Sequence, residues 1–327
     1  MELSPESIGE LHDPVLVSDV LDLLAPALEG GGVMVDGTLG MGGHTEAVLE
    51  AFPNSRVIGI DRDPRAIELA SMRLARFEDR FEPVLATYDQ IAEVVGDRKV
   101  DAILMDLGVS SLQLDDDERG FSYSRPAPLD MRMDQTKGQS AADLLATLDE
   151  GEIARILRVY GEERFANRIA RRIVKAREES PLTDSVQLAE LVRDSIPAAT
   201  RRSGGHPAKR TFQALRIAVN DELSILERAL PAALSTLRVG GRLVVESYQS
   251  LEDRIVKHVF KEGATPKQLP IDLPVLPEDA PVASLELVTR RAIKATEEDI
   301  LKNPRAQSVR LRAVEVKTPY EDVRSPR

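Results

Sequence analysis

Three aspartates, Asp36, Asp61 and Asp106, each close a short apolar run, at 33–36, 56–61 and 100–106. After the first comes Gly37-Thr38-Leu39-Gly40-Met41-Gly42-Gly43-His44, four glycines in seven residues, ahead of a helical stretch at 45–51. Glycine lets the chain turn with positive φ and lets a ligand approach bare backbone. The unpaired N–H groups of the next helical turn point at whatever lies there. In an open α/β sheet, the carboxyl ends of the strands border the ligand crevice. Asp61 follows Gly42 by 19 residues, close to the spacing of about 20 at which an acidic side chain reaches a ribose diol. These residues can recognise a nucleoside-containing cofactor, with a purely structural glycine turn as the alternative.

The kind of cofactor follows from charge. In the dinucleotide spacing Gly-x-Gly-x-x-Gly the third glycine falls at Thr45, and no basic residue follows the loop to neutralise a pyrophosphate. Strand-end carboxylates repel phosphates; they suit a cofactor with hydroxyls, an amino-acid moiety and a cationic centre. S-adenosylmethionine has all three. Tyr88, after the third strand, is placed either to lie on an adenine face or to fill the core. The four histidines, His12, His44, His206 and His258, have no metal-ligand spacing to one another, and the chain has no cysteine. No metal is expected. Neither a Gly-x-Ser-x-Gly elbow nor a P-loop occurs.

The elements that must hold these residues alternate. Strands are expected at 33–36, 56–61, 81–85 and 100–106, with helices at 45–51 and 64–74, the latter opened by Asp63-Pro64. That rhythm predicts an α/β fold, a Rossmann-like parallel sheet. It breaks after Asp106. Residues 107–134 read as loop, and helical patterns follow at 144–148, 152–160, 165–177 and 186–193. A long helix at 211–237, broken at Pro231, then leads to a strand at 242–246. The expected organisation is therefore a discontinuous α/β domain, 1–114 and 208–327, with a helical domain inserted at 115–207. In the tail, 261–281 reads as loop, while 285–293 and 308–316 are expected to pair antiparallel at the sheet edge.

The chain of 327 residues has a net charge of −12, which argues against general coating of nucleic acid. Residues 155–216 nevertheless carry 14 Lys or Arg against 7 Asp or Glu. One basic segment on an acidic body suits a polyanion gripped at one place, although solvated helices can drift positive without a partner. There is no apolar run of membrane-spanning length and no signal pattern, so a cytoplasmic, membrane-free location is expected.

Several blocks go further. Among them are Asp36-Gly37-Thr38-Leu39-Gly40-Met41-Gly42-Gly43-His44, Ile60-Asp61-Arg62-Asp63-Pro64, Asp106-Leu107-Gly108-Val109-Ser110-Ser111 and Pro128-Leu129-Asp130-Met131-Arg132-Met133. Others are Tyr160-Gly161-Glu162-Glu163-Arg164-Phe165-Ala166, His206-Pro207-Ala208-Lys209-Arg210-Thr211-Phe212-Gln213 and Ser250-Leu251-Glu252-Asp253-Arg254. With these, the chain resembles the ribosomal RNA small subunit methyltransferase H (MraW) family over nearly its whole length. The resemblance implies a methyltransferase sheet with a helical insert for substrate recognition. It also implies methylation, from S-adenosylmethionine, of the exocyclic N4 of a cytidine in 16S ribosomal RNA of the small subunit. Cofactor contacts then fall on Gly42, Gly43, His44, Asp61, Tyr88, Asp106 and Gln113. By its place at a strand end Asp106 is also the candidate catalytic group, acting on the amine or only holding the cofactor. Gln249 stands where the family pattern has histidine.

A cytidine in folded RNA must be unstacked to reach such a pocket. Phosphate contacts are expected from Arg164, Arg168, Arg171, Arg172, Arg201, Arg202, Lys209 and Arg210, and base stacking from Phe121 or Tyr123. A non-catalytic RNA-binding or ribosome-assembly factor with a vestigial cofactor site is the rival reading, and an oligomer stays open.

Overall fold

The computed structural model describes residues 14–198, 206–266 and 282–321. The chain forms two compact units, residues 1–108 with 224–327, and residues 109–223. In the first, α1 (Val17–Leu28) precedes β1 (Gly32–Asp36), α2 (Gly43–Ala51), β2 (Ser55–Asp61), α3 (Pro64–Leu74), β3 (Phe81–Leu85), α4 (Ile91–Val95) and β4 (Val100–Asp106). Met34, Val35, Val57, Ile58, Ile60 and Ala102 through Met105 are all buried. Strands covered on both faces need such unbroken apolar runs, which is why they stood out in the sequence. Asp63 caps α3, its carboxylate accepting from the Arg65 N–H at 3.0 Å with Pro64 in the first turn.

The second unit is helical: α5 (Ser111–Asp115), α6 (Ala141–Thr147), α7 (Glu150–Gly161), α8 (Ala166–Glu179), α9 (Ser185–Ser195) and α10 (Lys209–Asn220). Its core gathers Leu129, Met131, Ile153, Leu157, Ile169, Ile173, Leu188, Val192, Phe212 and Leu215. The helix α10, expected with the sheet, packs here against α7. Gly161 permits the contact, because a Cβ at that position would lie 2.6 Å from the Arg210 carbonyl oxygen.

Two expectations are corrected. Residues 107–134 are not all loop: α5 forms because Ser110 and Gln113 close a reciprocal capping box, each side chain bonding the other's backbone N–H. The expected long helix breaks at Asp221, not at Pro231. Asp221 takes φ 52°, and Arg216 braces the corner with two 2.8 Å bonds to Glu222. Pro231 sits inside α11 (Glu222–Thr236).

The first unit then resumes with β5 (Leu237–Ser247), α12 (Ser250–Gly263), β6 (Leu285–Leu287), α13 (Glu297–Lys302) and β7 (Arg310–Val316). Among the described residues the sheet has seven strands in the order β3-β2-β1-β4-β5-β7-β6. From β3 to β5 neighbours are parallel, and β7 runs antiparallel to both β5 and β6, the edge pairing expected of the tail. The chain leaves β1 towards β2 on one side and returns with β4 on the other. That reversal, beyond the carboxyl ends and beside Asp36 and Asp106, is the place where open α/β sheets bind ligands. No helix among the described residues is long and apolar enough to cross a membrane.

Candidate active site

The glycine loop is stitched to the strands on either side of it. Gly37 N–H donates to the Leu104 carbonyl and Leu39 N–H to the Ile60 carbonyl, both at 2.9 Å. Thr38 Oγ1 accepts the Asp106 N–H at 2.6 Å. Gly42 opens α2 with φ 76°, and a Cβ there would lie 2.9 Å from Leu74 Cδ1. Only glycine satisfies both demands without strain. Tyr88 is half-buried, packed on the sheet core, and its Cβ lies 3.4 Å from where a Gly37 Cβ would stand.

The three strand-end aspartates divide their work. Asp36 is buried and bonded to the Thr45 hydroxyl at 2.7 Å and the Thr38 N–H at 3.2 Å. Burial raises its carboxyl, and its bonds make it a strut between β1 and α2. Asp61 is half-buried and accepts the Gly40 N–H at 2.8 Å and the Asp63 N–H at 2.9 Å, one on each oxygen. Each oxygen keeps acceptor capacity for a ligand hydroxyl. Burial pushes this carboxyl up to about 6 against the pull of those bonds.

Asp106 sits in a group that the sequence reading did not assemble. It faces Glu246 directly in the β4–β5 register. His44 lies between them, Nδ1 3.8 Å from Asp106 Oδ2 and Nε2 3.5 Å from Glu246 Oε2, while Nε2 bonds the Val15 carbonyl at 2.9 Å. Asp106 Oδ1 and both Glu246 oxygens are buried, and no donor among the described residues bonds them. Burial, then the neighbouring Asp106 charge, holds the Glu246 carboxyl well above its ordinary range; burial and the same acids raise the Tyr248 phenol. One donor atom from each of His44, Asp106 and Glu246 falls within 4.8 Å of the others. The imidazole, however, turns a different nitrogen to each acid, which is a ring wedged between two carboxyls and not three donors converging on one point. Glu246 was legible in principle, since the strand expected at 242–246 also ends in a carboxylate.

The remaining candidates lie in the second unit. Gln113 is buried, its amide oxygen accepting the Ser110 N–H at 3.1 Å. Arg164, Arg168, Arg171, Arg172, Lys209 and Arg210 are exposed. Arg171 approaches Glu150 at 3.5 Å, and Arg210 donates to the Glu162 carbonyl at 3.3 Å. Arg201 and Arg202 lie outside the described residues. Phe121 is committed to the core, whereas Tyr123 stacks on exposed His206 with centroids 4.3 Å apart and meets Phe212 edge-on. Gln249, back in the first unit, caps α12, bonding Glu252 Oε1 at 2.9 Å through its amide while Glu252 Oε2 accepts its N–H at 3.2 Å. A neutral side chain suffices for that duty.

The residues present fit S-adenosylmethionine. The loop is built on glycine, Asp61 has spare acceptor capacity, Asp106 has a buried oxygen with no donor among the described residues, and the ion pairs of Asp106 and Glu246 among those residues are to His44.

Comparison with known proteins agrees. The sequence profile of the MraW methylase family matches residues 9–317. The chain is 61% identical over 308 residues to the ribosomal RNA small subunit methyltransferase H of Beutenbergia cavernae, covering 93% of this chain and 92% of that protein. It is 58% identical over 311 residues to the protein of the same name from a Nocardioides species, covering 94% and 97%. With its topological switch point, glycine loop and acidic strand ends, the chain belongs to the MraW methylase family.

Proposed function

We propose that this protein methylates the exocyclic N4 of a cytidine in 16S ribosomal RNA of the small ribosomal subunit, in the cytoplasm, using S-adenosylmethionine. Membership of the MraW family supports the reaction class, and the names of the relatives support the RNA substrate. The observation that carries the reading is the row of acidic strand ends at the switch point, where the Asp106 and Glu246 carboxyls stand side by side against the glycine-loop His44. When bound, S-adenosylmethionine supplies a methyl group already activated on a sulfonium.

The chain's own residues do the rest. Asp61 accepts from the ribose hydroxyls, Gly42, Gly43 and His44 line the backbone face, and Tyr88 covers the adenine. The N4 lone pair of cytosine is delocalised into the ring and is a weak nucleophile. Asp106 accepts an N–H from that amine, so that charge builds on nitrogen while the group is held in line for attack. Asp106 would take up the N4 proton released on transfer and pass it to solvent, while the donor would supply the methyl and its sulfur would keep the electrons of the broken bond. Arg164, Arg168, Arg171, Arg172, Lys209 and Arg210 hold flanking phosphates, as do Arg201 and Arg202 of the basic run.

The test is incubation with labelled S-adenosylmethionine and small subunits from cells lacking the protein, followed by mass mapping of the RNA. One methyl on the N4 of a cytidine is the expected product. Cofactor binding without transfer to any small-subunit particle would overturn the reading in favour of an assembly factor.

A further inference from the structure

Asp106 and Glu246 are cross-strand neighbours at the ends of β4 and β5, a placement in which two like charges destabilise a sheet. The Glu246 side chain is 0% exposed and that of Asp106 20%. Among the described residues, the other groups around Glu246 cannot neutralise both charges of the pair. From β1 comes Asp36 and from α1 Asp19, both carboxyls; from the end of β5 itself comes the Tyr248 phenol. On β7, Arg310 and Arg312 are bonded to Asp253 at 2.8 and 2.7 Å. From α2, His44 offers one imidazole, whose nitrogens stand 3.5 and 3.8 Å from the two acids, too far for a good hydrogen bond. Two ionised carboxylates cannot persist side by side in such a place.

We infer that Glu246 is a positioning residue that holds a proton: it stays the neutral acid and shares that proton with Asp106, leaving the pair a single negative charge on its more exposed member. Two carboxyls in unequal surroundings divide into an acid and an anion in this way. Proton sharing stands independently of the methyl-transfer reading, whereas its effect on catalysis rests on that reading. There it fixes the Asp106 anion in place to receive the N–H of the amine and to face the cationic donor.

The first readout needs no activity. Infrared difference spectra of cofactor-free wild-type protein and Glu246→Gln, at about pH 7, should reveal a protonated carboxyl stretch in the wild type that the substitution removes. Thermal stability gives a second readout. A raised carboxyl keeps its proton in the fold after the unfolded chain has released it. The stability it confers is therefore full below the ordinary value of 4.5 and is lost as pH climbs through the folded value. Wild-type melting should fall with rising pH more steeply than that of Glu246→Gln.

In turnover, Glu246→Leu should lower kcat by roughly tenfold or more with little change in cofactor affinity, and Glu246→Gln, which keeps a neutral donor, should recover most of it. Absence of the carboxyl band at about pH 7, or a stoichiometric divalent cation in the purified protein, would overturn the inference. A wild-type band in a protein that methylates no RNA would uphold the shared proton and sink the functional reading alone.

Discussion

Asp61 bears two backbone hydrogen bonds and a burial penalty together, and their balance decides how it meets a ligand. Its carboxyl, raised from 3.8 to about 6, is an anion at neutral pH but gains a proton under mild acid. Protonation removes the acceptor proposed for the ribose hydroxyls, so S-adenosylmethionine affinity should weaken as pH falls through about 6, measurable by calorimetric titration. Asp61→Asn should bind the cofactor roughly ten- to a hundredfold more weakly and lose that acid limb, since a hydrogen bond to a charged acceptor is worth about 1.5–3 kcal/mol. Asp106→Ala should abolish methyl transfer; near-wild-type turnover would refute its assignment. The placement of Asp61 and Asp106 at strand ends was readable in the sequence because the end of a buried strand is a local property. The duty of Asp36 was not, because Thr45 and Thr38 claim its carboxylate only once the loop has turned back on β1. Glu246 was harder still, since its significance comes from register with a strand more than a hundred residues earlier.

Elements whose signal is local emerged well from the sequence: β1 to β4, the helices α2 and α3, and the Asp63-Pro64 start of α3. The glycine loop is the element on which they converge. Gly42→Ala places a Cβ on a residue with φ 76° and against buried Leu74. It should cost about 1–3 kcal/mol, read as a lower melting temperature, and weaken cofactor binding as the first turn of α2 shifts. Misreadings occurred where short polar side chains decide the backbone. The Ser-x-x-Gln box of α5 is a capping signature within the stretch expected to be loop. At the α10–α11 corner, Asn220-Asp221 turns the chain while Pro231 rides inside a helix, contrary to what proline alone suggests.

For the whole molecule, the acidic net charge and the exposed arginines of α8 make opposite demands on a polyanion. Binding to small-subunit RNA should therefore depend on a few cations and fall steeply with salt. Replacing Arg168, Arg171 and Arg172 together by alanine should flatten the slope of log affinity against log salt by about one for each phosphate no longer neutralised, while leaving cofactor affinity alone. Equal slopes for the variant and the wild type would remove α8 from the RNA interface. That a helical segment interrupts the α/β pattern was visible as a change of periodicity. Its limits were not, because α10 follows α9 across a basic run that gives no hint of its partner, and Gly161 reveals that partner only through a close approach in space.

The strand that flanks β4 on its far side is made only after the entire helical unit. While the ribosome is still producing residues 109–236, β4 is a bare rim of Ala102, Ile103, Leu104 and Met105, all fully covered in the finished protein. Such a rim invites pairing with other chains. The newborn protein consequently has an interval of vulnerability set by translation speed, and rare codons across the helical unit should lower its soluble yield.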